Sequence, residues 1–219
     1  MFFYIYISTV ALAFLSSLLS FWLDYPFHLK LFSVLLGLTL LTEICAKFLL
    51  HWFRLESNYP IYNIYILIQD SFYAVYFMLI ISSSIAKKVI IFFLILFPAF
   101  WIATTFFILG ANAWNSYAIM LGDIFIVYFS VIYLYELFVS EKLVKLHLSP
   151  EFWIATASVI YFSSELPLTG MLNYMATNYP EQTLVLFKIL QLLNIIMYSI
   201  FIYAFLCRVK INTSKYRLQ

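Results

Sequence analysis

The 219 residues are 65% hydrophobic and only 10% charged, with a mean hydropathy of +0.99. That balance excludes a water-soluble domain, because the polar surface needed to dissolve one is missing. A net charge of +2 without a basic cluster excludes nucleic acid as a partner. Cys45 and Cys207 stand in no CxxC or Cys/His grouping and point to no redox or zinc role.

A membrane-spanning helix needs ~20 mostly apolar residues. Seven stretches qualify, roughly 2 to 23, 27 to 50, 61 to 86, 89 to 109, 116 to 139, 151 to 175 and 181 to 207. The first is apolar from Phe2, with neither a basic leader nor a small-residue cleavage site, and is expected to be a retained helix. Pro26, Pro60, Pro150 and Pro180 each stand at the start of a stretch, where a missing N–H costs nothing. Ser149 before Pro150-Glu151 is a strong N-cap signal. Pro98 and Pro167 fall inside the fourth and sixth stretches and are expected to bend them. The chain from 1 to 219 is therefore expected to form a single domain, an all-α polytopic bundle of seven transmembrane helices.

Orientation follows from Lys and Arg in the connections. On one side lie Lys30, Lys87, Lys88, Lys142, Lys145, Arg208, Lys210, Lys215 and Arg217; connections on the other side carry Arg54 alone. This bias predicts an N-terminus outside and a C-terminus in the cytoplasm. The longest connection, around 140 to 150, is then cytoplasmic.

Ionisable residues within spanning helices are costly and mark function by default. Stretch by stretch, these and the amides beside them are Glu43 and Lys47, then Asn63, Gln69 and Asp70, then Asp123, then Glu165 with Asn173, then Lys188, Gln191 and Asn194. Under the expected orientation they sit at mid-depth or in the outer half, as a cavity opening outward would require. Ser116, Asp123 and Ser130 recur at intervals of seven on one helix face, and Tyr161 lies one turn before Glu165. Tyr62, Tyr65, Gln69, Tyr73 and Tyr76 form another stripe, read either as part of a polar network or as ordinary aromatic packing. Glu43 and Lys47, at i and i+4, can neutralise each other, and Lys188 can reach the headgroups along its stem. The candidate ligand-binding set is Glu43, Asn63, Gln69, Asp70, Asp123, Tyr161, Glu165, Lys188, Gln191 and Asn194.

His28, His51 and His147 lie near the membrane boundaries with no ligand spacing among them, so no metal site is expected. Neither a G-x-S-x-G elbow nor a nucleotide-binding glycine motif occurs, so no cofactor is expected and no catalytic residue can be named.

Two stretches carry a resemblance. One is Ile61-Tyr62-Asn63-Ile64-Tyr65, continuing through Gln69-Asp70 to Phe72-Tyr73; the other is Phe152-Trp153-Ile154 followed by Ile160-Tyr161-Phe162-Ser163. They resemble a family of small seven-helix proteins of unknown function common in Bacteroidota-type bacteria. That family usually has Glu where Asp70 stands, and glycines after the Trp and past the Ser where this chain has other residues. The resemblance implies the seven-helix topology and a bacterial inner membrane, and it implies no reaction.

The first functional expectation is a sensor or signal-relay protein. It would bind a small or lipidic ligand in an outward-facing polar pocket, with membrane lipids and a cytoplasmic or membrane partner protein around it. The alternatives are a small-solute or proton-coupled transporter and a lipid-modifying enzyme using the buried carboxylates.

Overall fold

The computed structural model describes residues 2–53, 57–110, 112–140 and 143–207, and among these no strand occurs. The helices are α1 (Phe2–Ser17), α2 (Leu19–Trp22), α3 (Phe27–Phe53), α4 (Tyr59–Ile80), α5 (Ser84–Ile102), α6 (Ser116–Val139), α7 (Pro150–Asn178) and α8 (Pro180–Cys207). A π-helical stretch, Ala103–Leu109, prolongs α5, and a 3-10 turn, Leu143–Leu148, precedes α7.

Among the described residues, six helical segments are long and apolar enough to cross a membrane. The expected sixth span, α7, is 29 residues long but is not one of them. Glu151, Glu165, Asn173 and a scatter of Ser and Thr dilute it. Large apolar side chains cover the outside of the bundle, with Trp22 84% and Ile85 75% exposed. Hydrocarbon, rather than water, suits such a surface.

Six helices close a ring in the order α1, α3, α4, α6, α7, α8 and back to α1. Helix α5 stays outside it, packed on α4 and α6. Phe32 of α3 is the hub of one half of the bundle, in ring contact with Tyr73, Tyr76, Phe201 and Phe205. Contacts run on from Tyr73 to Phe162 and from Tyr76 through Phe77 to Phe129. These rings are almost wholly buried and interlock at tilted to edge-on angles, which fills much of the half with aromatic side chains.

Local chemistry sets the boundaries. The chain leaves α4 six residues earlier than the apolar pattern suggests, at Ile80, and re-enters helix at Ser84. Glu136 of α6 is the cause: its carboxylate accepts the N–H groups of Ser82 and Ser83, both at 2.7 Å. The Ser83 hydroxyl then caps α5 by accepting from Ala86 N at 3.3 Å. Lys87 and Lys88 consequently belong to α5, as its fourth and fifth residues, and not to a connection. The first span is broken between Ser17 and Leu19, where Ser33 of α3 donates to the Ser17 carbonyl. Ser149 caps α7 as expected, accepting from Phe152 N.

At this same end of the bundle, His28 at the start of α3 meets Glu151 in the first turn of α7, with Nε2 2.9 Å from Oε1. Ser149 donates to the other Glu151 oxygen at 2.8 Å. Arg54, Lys142 and Arg208 onward, which contribute to the expected orientation, lie outside the described residues.

Candidate functional site

Opposite the aromatic half, the ring of helices encloses a cavity of about 470 Å³. It reaches the end of the bundle that carries the start of α1 and the residues leading into α4 and α6, since Phe3, Asn58, Tyr59 and Trp114 line it. All six ring helices contribute to the wall, and α5 contributes nothing. At 1.5 Å of rise per residue, Asp123 lies about 10 Å and Asp70 about 16 Å along their helices from that end.

Eight of the ten expected residues converge there. Glu43, Gln69, Asp70, Asp123, Tyr161, Glu165, Gln191 and Asn194 all line the cavity. Asp70 and Asp123 are 1% and 2% exposed, and both Asp70 oxygens and Oδ2 of Asp123 have no hydrogen-bond partner. Of the α6 heptad stripe, Ser116, Asp123 and Ser130 are all buried, but Asp123 alone of the three faces the cavity. Ser116 accepts from Asn173, and Ser130 donates to the Ile126 carbonyl at 2.7 Å. On α8, Asn194 donates to the Tyr161 hydroxyl at 3.0 Å.

Two expected residues do not converge. Lys188 is exposed and outside the lining. The lining positions of α8 are Phe187, Leu190, Gln191, Asn194 and Tyr198, a stripe that leaves residue 188 turned about 100° from its neighbour Phe187. Asn63 is buried elsewhere, as a strut between connections. It donates to the Ala113 carbonyl, accepts from Asn115 N, and its own carbonyl accepts from Trp101 Nε1. Asn115 caps α6 and binds the Thr104 and Thr105 hydroxyls, so Asn63 fixes the route from the π-helical stretch into α6.

The neutralisation of Glu43 by Lys47 that their spacing allows does not occur. Glu43 accepts the Tyr6 hydroxyl at 2.8 Å and the Tyr62 hydroxyl at 3.0 Å, joining α1, α3 and α4. Lys47 instead places Nζ over the Phe3 ring, 4.1 Å from its centre, and 4.8 Å from that of Tyr4. These residues border a second, shallower groove of about 410 Å³ between α1 and α3, and Phe3 and Glu43 line both it and the central cavity.

Sequence reasoning missed the rim. Trp114 sits against the rings of Tyr59 and Tyr62, and its Nε1 is buried without an acceptor. It also missed Gly122, on which the Asp70 carboxylate rests. No spacing rule announces either, because both depend on contact between segments distant along the chain.

The wall therefore holds four carboxylates, and among the described residues no Lys, Arg or His lines it. Nor do three His, Cys, Asp or Glu side chains of the described residues form a grouping able to hold a metal ion. Such a cavity presents buried acceptors whose charge must be met by protons or by a bound cationic group. Comparisons with family models, curated proteins and solved structures find no match for this chain.

Proposed function

We propose that the chain is a sensor or signal-relay protein of a bacterial inner membrane, spanning it seven times with its N-terminus outside and its C-terminus in the cytoplasm. It binds a small or lipidic ligand in the polar cavity and passes the event to a partner on the cytoplasmic side. The observation that carries this reading is the one-sidedness of the interior: a polar cavity in one half, interlocked buried rings in the other. A transporter needs a polar path in both halves, and the packing around Phe32 offers none. Helix α7 is the element that joins the halves. It bears Glu165 at the cavity, Pro167 half a turn further, and Glu151 at the far end against His28. Proline removes a backbone hydrogen bond from the helix beside Glu165 and makes bending there cheap.

The test is a spectroscopic distance between labels at the facing ends of α6 and α7, near Val139 and Leu148, in lipid nanodiscs. Native mass spectrometry of the same preparation identifies any co-purifying ligand. Removing that ligand, or substituting Glu165→Gln, is expected to shift the distance by several ångströms, and Pro167→Ala to blunt the shift. A distance unmoved by all three would leave a binding protein without a relay.

A further inference from the structure

We infer that the ligand of this cavity is a small organic cation, an ammonium group carrying an apolar or aromatic body. The inference rests on the cavity being a ligand site, as proposed above, and narrows its chemistry. Its first support is the inventory of the wall: Glu43, Asp70, Asp123 and Glu165, with no basic side chain lining it among the described residues. Glu43 is already engaged by two tyrosine hydroxyls. The deeper acids are not: Asp70 and Asp123, buried to more than nine-tenths, offer three oxygens with no partner in the protein. Leaving such oxygens unmet is costly, more so for a carboxylate than for a neutral carboxyl, and a bound cation removes that cost.

The second support is the company these carboxylates keep. Tyr65, Tyr161 and Tyr198 line the same cavity, as does Trp114, and aromatic faces attract a desolvated cation. Ile66, Ile119 and Leu190 supply apolar wall beside them. Acids with aromatic rings suit an ammonium; apolar wall suits the substituents on it. Trp114 Nε1, a buried donor without an acceptor, adds a place for one hydroxyl or carbonyl on the ligand. A bare metal ion is the wrong shape for this space, because the acids do not form a metal-holding group, whereas about 470 Å³ accommodates an organic molecule.

The probes are choline, its uncharged isostere 3,3-dimethylbutan-1-ol, phosphocholine as a lipid-headgroup mimic, and phenethylammonium against phenylacetate. Binding is measured calorimetrically on the full chain in nanodiscs of phosphatidylglycerol, which contains no ammonium. At least one ammonium probe is expected to bind saturably, at least about tenfold more tightly than its uncharged or anionic counterpart, a factor worth about 1.4 kcal/mol. Asp123→Asn should abolish that preference and Asp123→Glu should retain it. Stronger binding of choline than phosphocholine would mark a soluble amine, and equal binding a headgroup; both keep the ammonium. Equal affinity for charged and uncharged isosteres would overturn the inference, since the acids would then be acting as neutral groups, and so would the binding of no ammonium probe at all. Either of those results leaves the relay standing if a neutral ligand co-purifies and moves α7. An ammonium that binds without moving α7 refutes the relay and keeps the cation.

Discussion

The carboxylate of Asp70 occupies the volume that a β-carbon on Gly122 would fill. Helices α4 and α6 approach closely at that point because residue 122 has no side chain, and the acid is pressed against the α6 backbone one residue before Asp123. Gly122→Ala should therefore displace Asp70 and cost about 1–3 kcal/mol by overpacking. In an Asp70→Ala background the same change should cost less than half as much. Thermal unfolding of the four proteins of this cycle reads the coupling directly; equal costs in both backgrounds would mean the contact is slack.

Glu43 is the fastener between α1 and the α3–α4 pair. Tyr6→Phe and Tyr62→Phe should each lower stability by about 1–2 kcal/mol, the range for a hydrogen bond to a carboxylate. Lys47→Ala should cost no more than about 1 kcal/mol, since Lys47 is exposed, makes no ion pair with Glu43 and loses only its contact with the Phe3 and Tyr4 rings. Denaturation of the detergent-purified variants decides the matter, and a larger loss for Lys47→Ala than for Tyr6→Phe would contradict the geometry.

Glu136 holds the turn between α4 and α5 through two backbone N–H groups. Glu136→Ala is expected to cost about 2–3 kcal/mol and to raise hydrogen exchange at Ser82 and Ser83, while Glu136→Gln, keeping one acceptor oxygen, should cost about half as much. Exchange monitored by mass spectrometry separates a local loosening from global unfolding.

Orientation is testable independently of any ligand. A phosphatase that works only outside the cytoplasm should be active when inserted at Asn112, which is exposed in the connection before α6. A fluorescent reporter that folds only in the cytoplasm should light up when fused to the C-terminus. The reverse pattern would turn the cavity toward the cytoplasm.

The sequence disclosed most helix limits, because prolines and serine caps act within a single turn: α6 falls at 116 to 139 as expected, and Pro150 and Pro180 open α7 and α8. It misplaced the end of α4 because the determinant, Glu136, is 54 residues away from Ser82. For the site, position along each helix was legible, and a shared stripe told inward from outward only: Ser116, Asp123 and Ser130 are all buried, yet Asp123 alone faces the cavity. Lys188 shows the limit. A single charge on an apolar helix reveals its depth but not which way it faces, and only the stripe of Phe187, Gln191, Asn194 and Tyr198 settles that. Asn63 shows another: an amide that props a connection looks the same in sequence as one that awaits a ligand.

The polarity of α7 has a consequence for how the protein is made. A helix whose inward stripe holds Ser158, Tyr161, Glu165 and Thr169 gains less from lipid than its neighbours do. It is also the helix most enclosed by its two neighbours, lying along both α6 and α8. On the seven-span reading proposed above, the ribosome delivers α7 before α8 exists, and α7 waits at the insertion machinery, or leans on α6, until α8 arrives to cover it. Entry of the last two helices as a pair follows, and a chain terminated at Tyr179 should leave α7 on the wrong side of the bilayer in a substantial fraction of molecules.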